Sequence, residues 1–260
     1  MRNNDANAFA VFIMKKINGT LVILTFNEIE GAKALFGRIP IKEISDVFVV
    51  DGGSKDGTIE FFRKKGLRVY TQEIKGRGEA FRIGIENAKS EYVVFFSPDG
   101  NEDPADIVKL LELLHKGCDI AGASRFMRGG RADDETETIP VRSIGNRVFT
   151  MLIDLIWGGK LSDSINGFKG ITRSAYRKLN PNAPGFAIEF QLSIRALKNR
   201  MRIAEIPTYE GDRIGGESTA KTISTGFLLL KIVVREILGK RADLFPFLSI
   251  KRKEIMKKEF

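Results

Sequence analysis

Short apolar runs of four to six residues recur along the first half of the chain, and between them apolar residues return every three or four positions. The runs Thr20–Thr25, Val47–Val50, Leu67–Thr71, Tyr92–Phe96 and Ile120–Ala123 are rich in β-branched and aromatic residues and read as strands. The stretches Glu30–Phe36, Thr58–Lys65, Gly78–Lys89 and Ala105–Lys116 carry the helical period. Strands apolar on both faces and separated by helices predict an α/β fold with a mostly parallel sheet and helices on both sides. Ligands of such sheets bind beyond the carboxyl ends of the strands, so the loops that follow strands are where chemistry is expected.

Three of those loops are polar: Thr25-Phe26-Asn27-Glu28, Asp51-Gly-Gly-Ser-Lys-Asp-Gly-Thr58 and Ser97-Pro-Asp-Gly-Asn-Glu-Asp-Pro104. In the second, Asp51 stands at the strand end, where an acid can accept hydrogen bonds from a ribose or a base. Asp56-Gly57-Thr58 reads as a turn, with Thr58 capping the next helix. In the third, Asp103 and Pro104 suit the N-cap and first position of a helix, Glu102 has no assigned part, and Asp99 with Asn101 reads as either a metal site or a turn. Mg²⁺ commonly takes only one or two protein carboxylates, with water and substrate phosphate supplying the rest. The first strand is not followed by Gly-x-Gly-x-x-Gly, and Gly76-Arg77-Gly78 follows a different strand without a third glycine in place, which excludes a dinucleotide-binding loop and NAD.

Composition narrows the chemistry. The chain has 260 residues and a formal charge of +9, which favours anionic partners: nucleic acid, phosphorylated small molecules or an acidic membrane surface. One cysteine (Cys118) and one histidine (His115) exclude an internal disulfide, a Cys-based zinc cluster and a His-rich metal site. Catalysis is left to carboxylates, Arg, Lys and backbone. His115, near a helix end, reads as a surface residue, and the acid run Asp133–Glu137 as a solvated charge cluster. Arg125, Arg128, Arg131, Arg142 and Arg213 lie in separate segments rather than along one basic and aromatic groove, which argues against nucleic acid as a partner. Residues 1–19 read as an N-terminal extension without a signal-peptide pattern, and no apolar run approaches the about 20 residues that cross a bilayer. Two segments suit a membrane interface or ordinary packing equally well: Asn146–Trp157, and Phe227–Leu238 with Lys231 and Arg235 on its polar side. The basic tail Lys251–Lys258 would add attraction to anionic headgroups.

Taken in order, Leu24-Thr-Phe-Asn-Glu28, Val49-Val-Asp-Gly-Gly-Ser-Lys-Asp-Gly-Thr58, Lys75-Gly-Arg-Gly78, the Asp99 loop and Ser162-Asp-Ser-Ile-Asn-Gly-Phe-Lys169 resemble glycosyltransferase family 2. Within it they are most similar to the dolichyl- or polyprenyl-phosphate sugar transferases. The resemblance runs from about Thr20 to Lys221 and implies a GT-A domain over 20–221, with an amphipathic helix and basic tail over 222–260. It also implies a reaction: inverting transfer of a hexose from a nucleotide sugar, GDP-mannose or a UDP-hexose, to a lipid phosphate. The protein would act peripherally at the cytoplasmic face of a membrane.

The resemblance assigns Thr25, Phe26, Asn27, Glu28, Asp51, Gly76, Arg77, Ser97 and Asp99 to the donor. Asp99 and Asn101 would hold Mg²⁺ or Mn²⁺, Asn101 standing where the lipid-phosphate enzymes have a Gln. Ser97 departs from the pattern, since it takes the place of the first acid of the metal motif. Arg125, Arg142 and Asn146 match positions that contact the acceptor phosphate. Asp163 matches an acid close to the transferred sugar, and Arg213, with Ser218 beside it, matches a late loop that closes on the diphosphate. Thr219 replaces the family's basic residue, and Lys221 lies two positions later. A phosphate acceptor needs no catalytic base, because a phosphomonoester with a second pKa of about 6 is already a nucleophilic dianion near neutral pH. Two alternatives stay open: transfer to a sugar hydroxyl, with Asp163 or Glu189 as base, and a non-catalytic nucleotide- or nucleic-acid-binding module.

Overall fold

The computed structural model describes residues 16–132, 140–215, 222–239 and 241. The first 15 residues, the acid run Asp133–Glu137, Ser218, Thr219, Lys221 and the basic tail lie outside the described residues.

Seven strands form one sheet in the order β3-β2-β1-β4-β6-β5-β7. Five of them are the expected ones: β1 (Ile17–Thr25), β2 (Ile44–Asp51), β3 (Arg68–Thr71), β4 (Tyr92–Phe96) and β5 (Ile120–Ser124). β1 and β2 each begin three residues before the predicted start, so β1 reaches into the predicted extension. The remaining two are β6 (Lys169–Thr172) and β7 (Ile203–Pro207). All neighbours pair in parallel except β6, which runs antiparallel to both β4 and β5. The carboxyl ends of β1, β2, β4, β5 and β7 therefore meet at one rim, and because β6 is reversed, the loop that enters it, 162–168, meets them there.

The alternation of the strands fills two cores. On one face Val22, Leu24, Phe48, Phe81 and Phe95 pack with Ile188 and Leu192, and on the other Leu21, Ile23, Val49, Phe62 and Phe96 pack with Ile107 and Leu110. The first face is covered by α3 (Arg77–Asn87), α6 (Arg173–Leu179) and α7 (Ala187–Lys198), and the second by α1 (Ile29–Leu35), α2 (Thr58–Lys64) and α4 (Asp106–His115). A third cluster forms behind α7: Phe190 and Ile194 meet Ile153 of α5 (Val141–Trp157) and Leu229, Ile232 and Val233 of α8 (Thr222–Leu238). α7 is buried on both sides, so even its polar residues Glu189, Gln191 and Ser193 are enclosed. Glu236 pins α8 to α7 through Arg195 (2.7 Å) and Lys198 (2.9 Å). Among the described residues no helix is long and apolar enough to cross a membrane.

Candidate active site

The loops after β1 and β2 are stitched together by side chains. Asp51 is fully buried: one oxygen accepts from the hydroxyls of Thr25 and Ser54 (both 2.7 Å), the other from the N–H groups of Gly53 (2.8 Å) and Ser54 (2.7 Å). The expected carboxylate facing a base or ribose is thus spent inside its own loop. The cap of α2 also differs from expectation. Gly57, with φ of 96°, precedes the helix, and it is Asp56 that accepts from the Thr58 N–H (3.0 Å) and the Thr58 hydroxyl (2.6 Å), and also from the Ile29 N–H (3.0 Å). Thr58 instead accepts from the Glu28 N–H (3.1 Å). The Asn27 amide, at a positive φ of 53°, accepts from the Lys55 N–H (3.0 Å). Phe26 lies against Gly52, with the Lys75 ammonium 4.9 Å from its ring centre. These contacts gather Phe26, Lys75 and Glu28 in the joined loops after β1 and β2.

The loop after β4 gathers charge. Asp99 accepts from the Asn101 N–H (3.1 Å) and from the Arg213 guanidinium (2.8 Å), and Arg213 also reaches Glu28 (2.9 Å). Gly100, at φ of 102°, leaves no room for a Cβ, which would stand 2.5 Å from the Asp212 carbonyl. That close approach is fixed by the Ile214 N–H on the Asp99 carbonyl (2.6 Å) and the Gly211 N–H on the Asn101 carbonyl (3.2 Å). Ser97 accepts from Arg77 (3.1 Å), while its N–H donates to Glu102 (2.7 Å). Arg77, the first residue of α3 after Gly76, also pairs with Glu189 and lies 3.7 Å from Glu102. Burial pushes the Glu28 carboxyl up to about 7 and Glu102 up to about 8; an arginine opposes each shift, and Asp99 adds to both. Asp103 does not sit at the N-cap: it accepts from the Ala105 N–H (3.1 Å) in a turn that precedes α4, and it pairs with Arg38 (3.0 Å).

Across the rim, Arg125 at the end of β5 makes a two-pronged pair with Asp163 (2.7 and 3.1 Å). Asp163 is only 2% exposed, and it also accepts from the N–H groups of Ile165 and Asn166. Burial would raise its pKa, but Arg125 and Lys169 hold it below the usual carboxylate range. Asp163 therefore sits behind Arg125 and positions it, where the sequence had suggested an acid beside the sugar. The front of Arg125 faces Glu210 (3.4 Å), which also lies 3.5 Å from Arg142 and from the Asn101 amide nitrogen.

One cavity of about 550 Å³ is lined by Arg77, Ser97, Asp99 and Asn101 together with Arg125, Arg142, Asn146 and Glu210. Phe149, Phe186, Phe227 and Leu230 line its apolar wall. The structure thus brings together most of the predicted residues of Ser97, Asp99 and beyond, with Arg213 and Arg77, while Thr25, Asn27 and Asp51 belong to the joined loops after β1 and β2. Among the described residues there is no cluster of three or more His, Cys, Asp or Glu side chains that could hold a metal. The donor set is smaller: the Asp99 carboxylate, and the Asn101 amide oxygen, which is buried without a hydrogen-bond partner. Two hard oxygen ligands fit a divalent cation that completes its shell with phosphate and water. Glu210 escaped the sequence reading; the signal was its place just after a strand that ends at the same rim. Glu102 was legible only as one acid among several.

The model of a family described as glycosyl transferase family 2 matches residues 20–179. Glycosyltransferase AglJ of Haloferax volcanii is 28% identical over 198 residues, covering 75% of this chain and 63% of the relative. Dolichol-phosphate mannosyltransferase of Pyrococcus furiosus is 27% identical over 210 residues, covering 78% of this chain and 59% of its own length. The chain thus spans less than two thirds of either relative. Among solved structures, glucosyl-3-phosphoglycerate synthase from Mycobacterium tuberculosis, in complex with Mn²⁺, UDP and glucosyl-3-phosphoglycerate, superposes with a TM-score of 0.63 at 20% identity, covering 86% of this chain and 79% of that one. The shared fold is the expected GT-A architecture.

Proposed function

The chain belongs to glycosyl transferase family 2, and from that membership we propose that it transfers a hexose from a nucleotide sugar, GDP-mannose or a UDP-hexose, to a polyprenyl or dolichyl phosphate at a membrane surface. The observation that carries this reading is the shared lining of one cavity. Asn101, beside Asp99, and Arg125 and Arg142 all lie 3.4–3.5 Å from Glu210, and Phe149, Phe186, Phe227 and Leu230 line the same space. The wall continues outward: Val141, Ile144, Val148, Met151 and Leu155 of α5 form a stripe at alternating three- and four-residue spacing, and Leu155 is 84% exposed. Phe227 and Leu230 of α8 extend it. The inner faces of both helices supply the core, so the outer stripe suits a lipid chain and the interface that holds it. The name of the Pyrococcus relative, a dolichol-phosphate mannosyltransferase, supports the same acceptor class. The single cysteine fits the cytoplasmic face, where disulfides are rare.

In this reading the loops that bring Phe26 and Lys75 together take the base, with Asp51 holding Thr25 and Ser54 in shape beside them. Asp99 and Asn101 would hold Mg²⁺ or Mn²⁺, ions found with UDP in structures of the same fold. Such an ion, when bound, neutralises charge on the departing nucleoside diphosphate. Arg213 and Arg77 line the same cavity and add positive charge where the diphosphate leaves. Arg125, fixed from behind by Asp163, and Arg142 with Asn146 orient the acceptor phosphate for attack on the anomeric carbon from the far side, which inverts it. No base is required, because the phosphate oxygen is already anionic. Asp163 is a weak base, since Arg125 and Lys169 hold its pKa below the usual carboxylate range, and its oxygens already accept from Arg125, Ile165 and Asn166. A rival acceptor, a sugar hydroxyl, is favoured by one observation: Glu189 lines the cavity, has one buried oxygen without a hydrogen-bond partner, and is pushed up in pKa by burial.

The test is to supply labelled GDP-mannose, UDP-glucose or UDP-N-acetylglucosamine with dolichyl or undecaprenyl phosphate, with and without EDTA. Label is expected in the lipid for one donor, with loss on chelation and return on adding Mn²⁺. Label that stays out of the lipid in every combination overturns the proposal.

A further inference from the structure

Glu210 occupies an unusual place for a carboxylate. It stands between Arg125 and Arg142, the two arginines read above as the acceptor-phosphate pair, at 3.4 and 3.5 Å, with the Asn101 amide nitrogen also at 3.5 Å. These contacts are long for charge-assisted hydrogen bonds, which run about 2.7–2.9 Å. Behind the same arginine, Asp163 bonds at 2.7 Å. Arg125 is therefore locked on its inner side and loosely engaged on its outer side. The backbone under Glu210 is firm: its N–H donates to the Arg131 carbonyl (2.8 Å), and the next N–H, from Gly211, donates to the Asn101 carbonyl (3.2 Å).

We propose that Glu210 is a specificity-determining residue for the acceptor: its carboxylate stands in for the acceptor's phosphate, so that an incoming group must displace it. The inference rests on the reading of Arg125 and Arg142 as the acceptor-phosphate pair. A carboxylate brings one charge and two oxygens, whereas a phosphomonoester near neutral pH brings almost two charges and three oxygens. The monoester outcompetes Glu210 at two arginines. A hydroxyl, being neutral, would leave them unneutralised on displacing Glu210, and a monoanionic diester gains nothing over the carboxylate already present. Discrimination thus comes from the cost imposed on the wrong acceptors.

Two variants, Glu210→Gln and Glu210→Ala, test this with two readouts. By titration calorimetry, inorganic phosphate should bind both variants more tightly than the wild type, by about fivefold, as expected on removing a like charge beside a partly buried anion site. Dimethyl phosphate, a monoanion that gains nothing over the wild-type carboxylate, should gain by a similar factor and so become measurable where the wild type scarcely binds it. In transfer assays the KM for polyprenyl monophosphate should fall by a similar factor, while the KM for the nucleotide sugar stays put. The gain in phosphate affinity should vanish when Arg142→Ala is added, which locates the effect. Phosphate binding that is unchanged or weaker in both variants overturns the proposal. Tighter phosphate binding, in a protein that transfers no sugar to lipid phosphate, would uphold the role of Glu210 and remove the lipid acceptor instead.

Discussion

At position 97 a hydroxyl does the work of a local tie rather than of a metal ligand: Ser97 accepts from Arg77, and its N–H holds Glu102. This leaves Asp99 as the one acid of its motif beside the buried, unpaired Asn101 oxygen. Asp99→Ala should therefore abolish transfer, by more than about a hundredfold, the scale on which a single electrostatic contact to a developing charge counts. Asp103→Ala should keep activity and lower stability by about 1 kcal/mol, as for a lost hydrogen bond to the Ala105 N–H in the turn before α4, since its exposed pair with Arg38 adds little. Kinetics and thermal melts on the two variants separate these roles, and equal catalytic loss in both would show the loop divided wrongly. The same loop sets a pH dependence. Glu28 and Glu102 rise from 4.5 to about 7 and about 8, so the folded chain holds extra protons across that range and the metal-free protein loses stability as pH rises from about 5 to about 8. Melting temperatures taken in chelator should fall over that window, and Glu102→Gln, which keeps shape without charge, should flatten the fall.

At the scale of elements, the five strands β1 to β5 were legible because burial on both faces demands unbroken apolar runs. β6 and β7 were not. Lys169-Gly-Ile-Thr172 is short and carries a buried lysine, and Ile203–Pro207 is a half-buried edge strand containing Glu205 and ending in proline. Neither shows a run or an alternation, and their pairing is set by tertiary contacts. The helices behave differently. α5 and α8 could be read as either packing or interfacial segments, and the structure divides the two readings by face: Ile153, Leu229 and Ile232 go inward, while Met151, at 67% exposure, and Leu155 point out. Replacing Met151 and Leu155 together with Asp should abolish co-flotation with anionic vesicles, because it removes apolar insertion and adds charge of the wrong sign. Stability should stay within about 0.5 kcal/mol, the range of substitutions at exposed sites. Unchanged flotation would assign the stripe to another partner. Arg125 and Asp163 test the other wall: Asp163→Asn strands a buried guanidinium and should cost about 3 kcal/mol of stability, whereas Arg125→Lys keeps the charge, loses the fork, and should mainly raise the KM for the acceptor.

For the whole molecule, the arrangement of the sheet decides what meets what. Reversal of β6 brings the loop that carries Asp163 to the rim from the opposite direction, behind Arg125, which no local pattern in Ser162–Lys169 specifies. The donor loops were readable because glycines and short polar residues must close tight turns at strand ends. The cluster around Glu210 was readable only as scattered arginines, since the sequence spreads Arg125, Arg142 and Glu210 over three segments that only the fold unites. The net charge of +9 is compatible with an anionic acceptor and an anionic surface, and the site itself lines one cavity with paired acids and arginines. Its central consequence is chemical: the sugar should be joined to a phosphate oxygen, not to a carbon-borne hydroxyl. Phosphorus NMR of a completed reaction, with polyprenyl monophosphate and the preferred nucleotide sugar, reads this directly. The account predicts that the phosphomonoester signal of the acceptor is replaced by that of a phosphodiester as nucleoside diphosphate is released. An intact monoester, with the transferred sugar recovered on a hydroxyl, would contradict it.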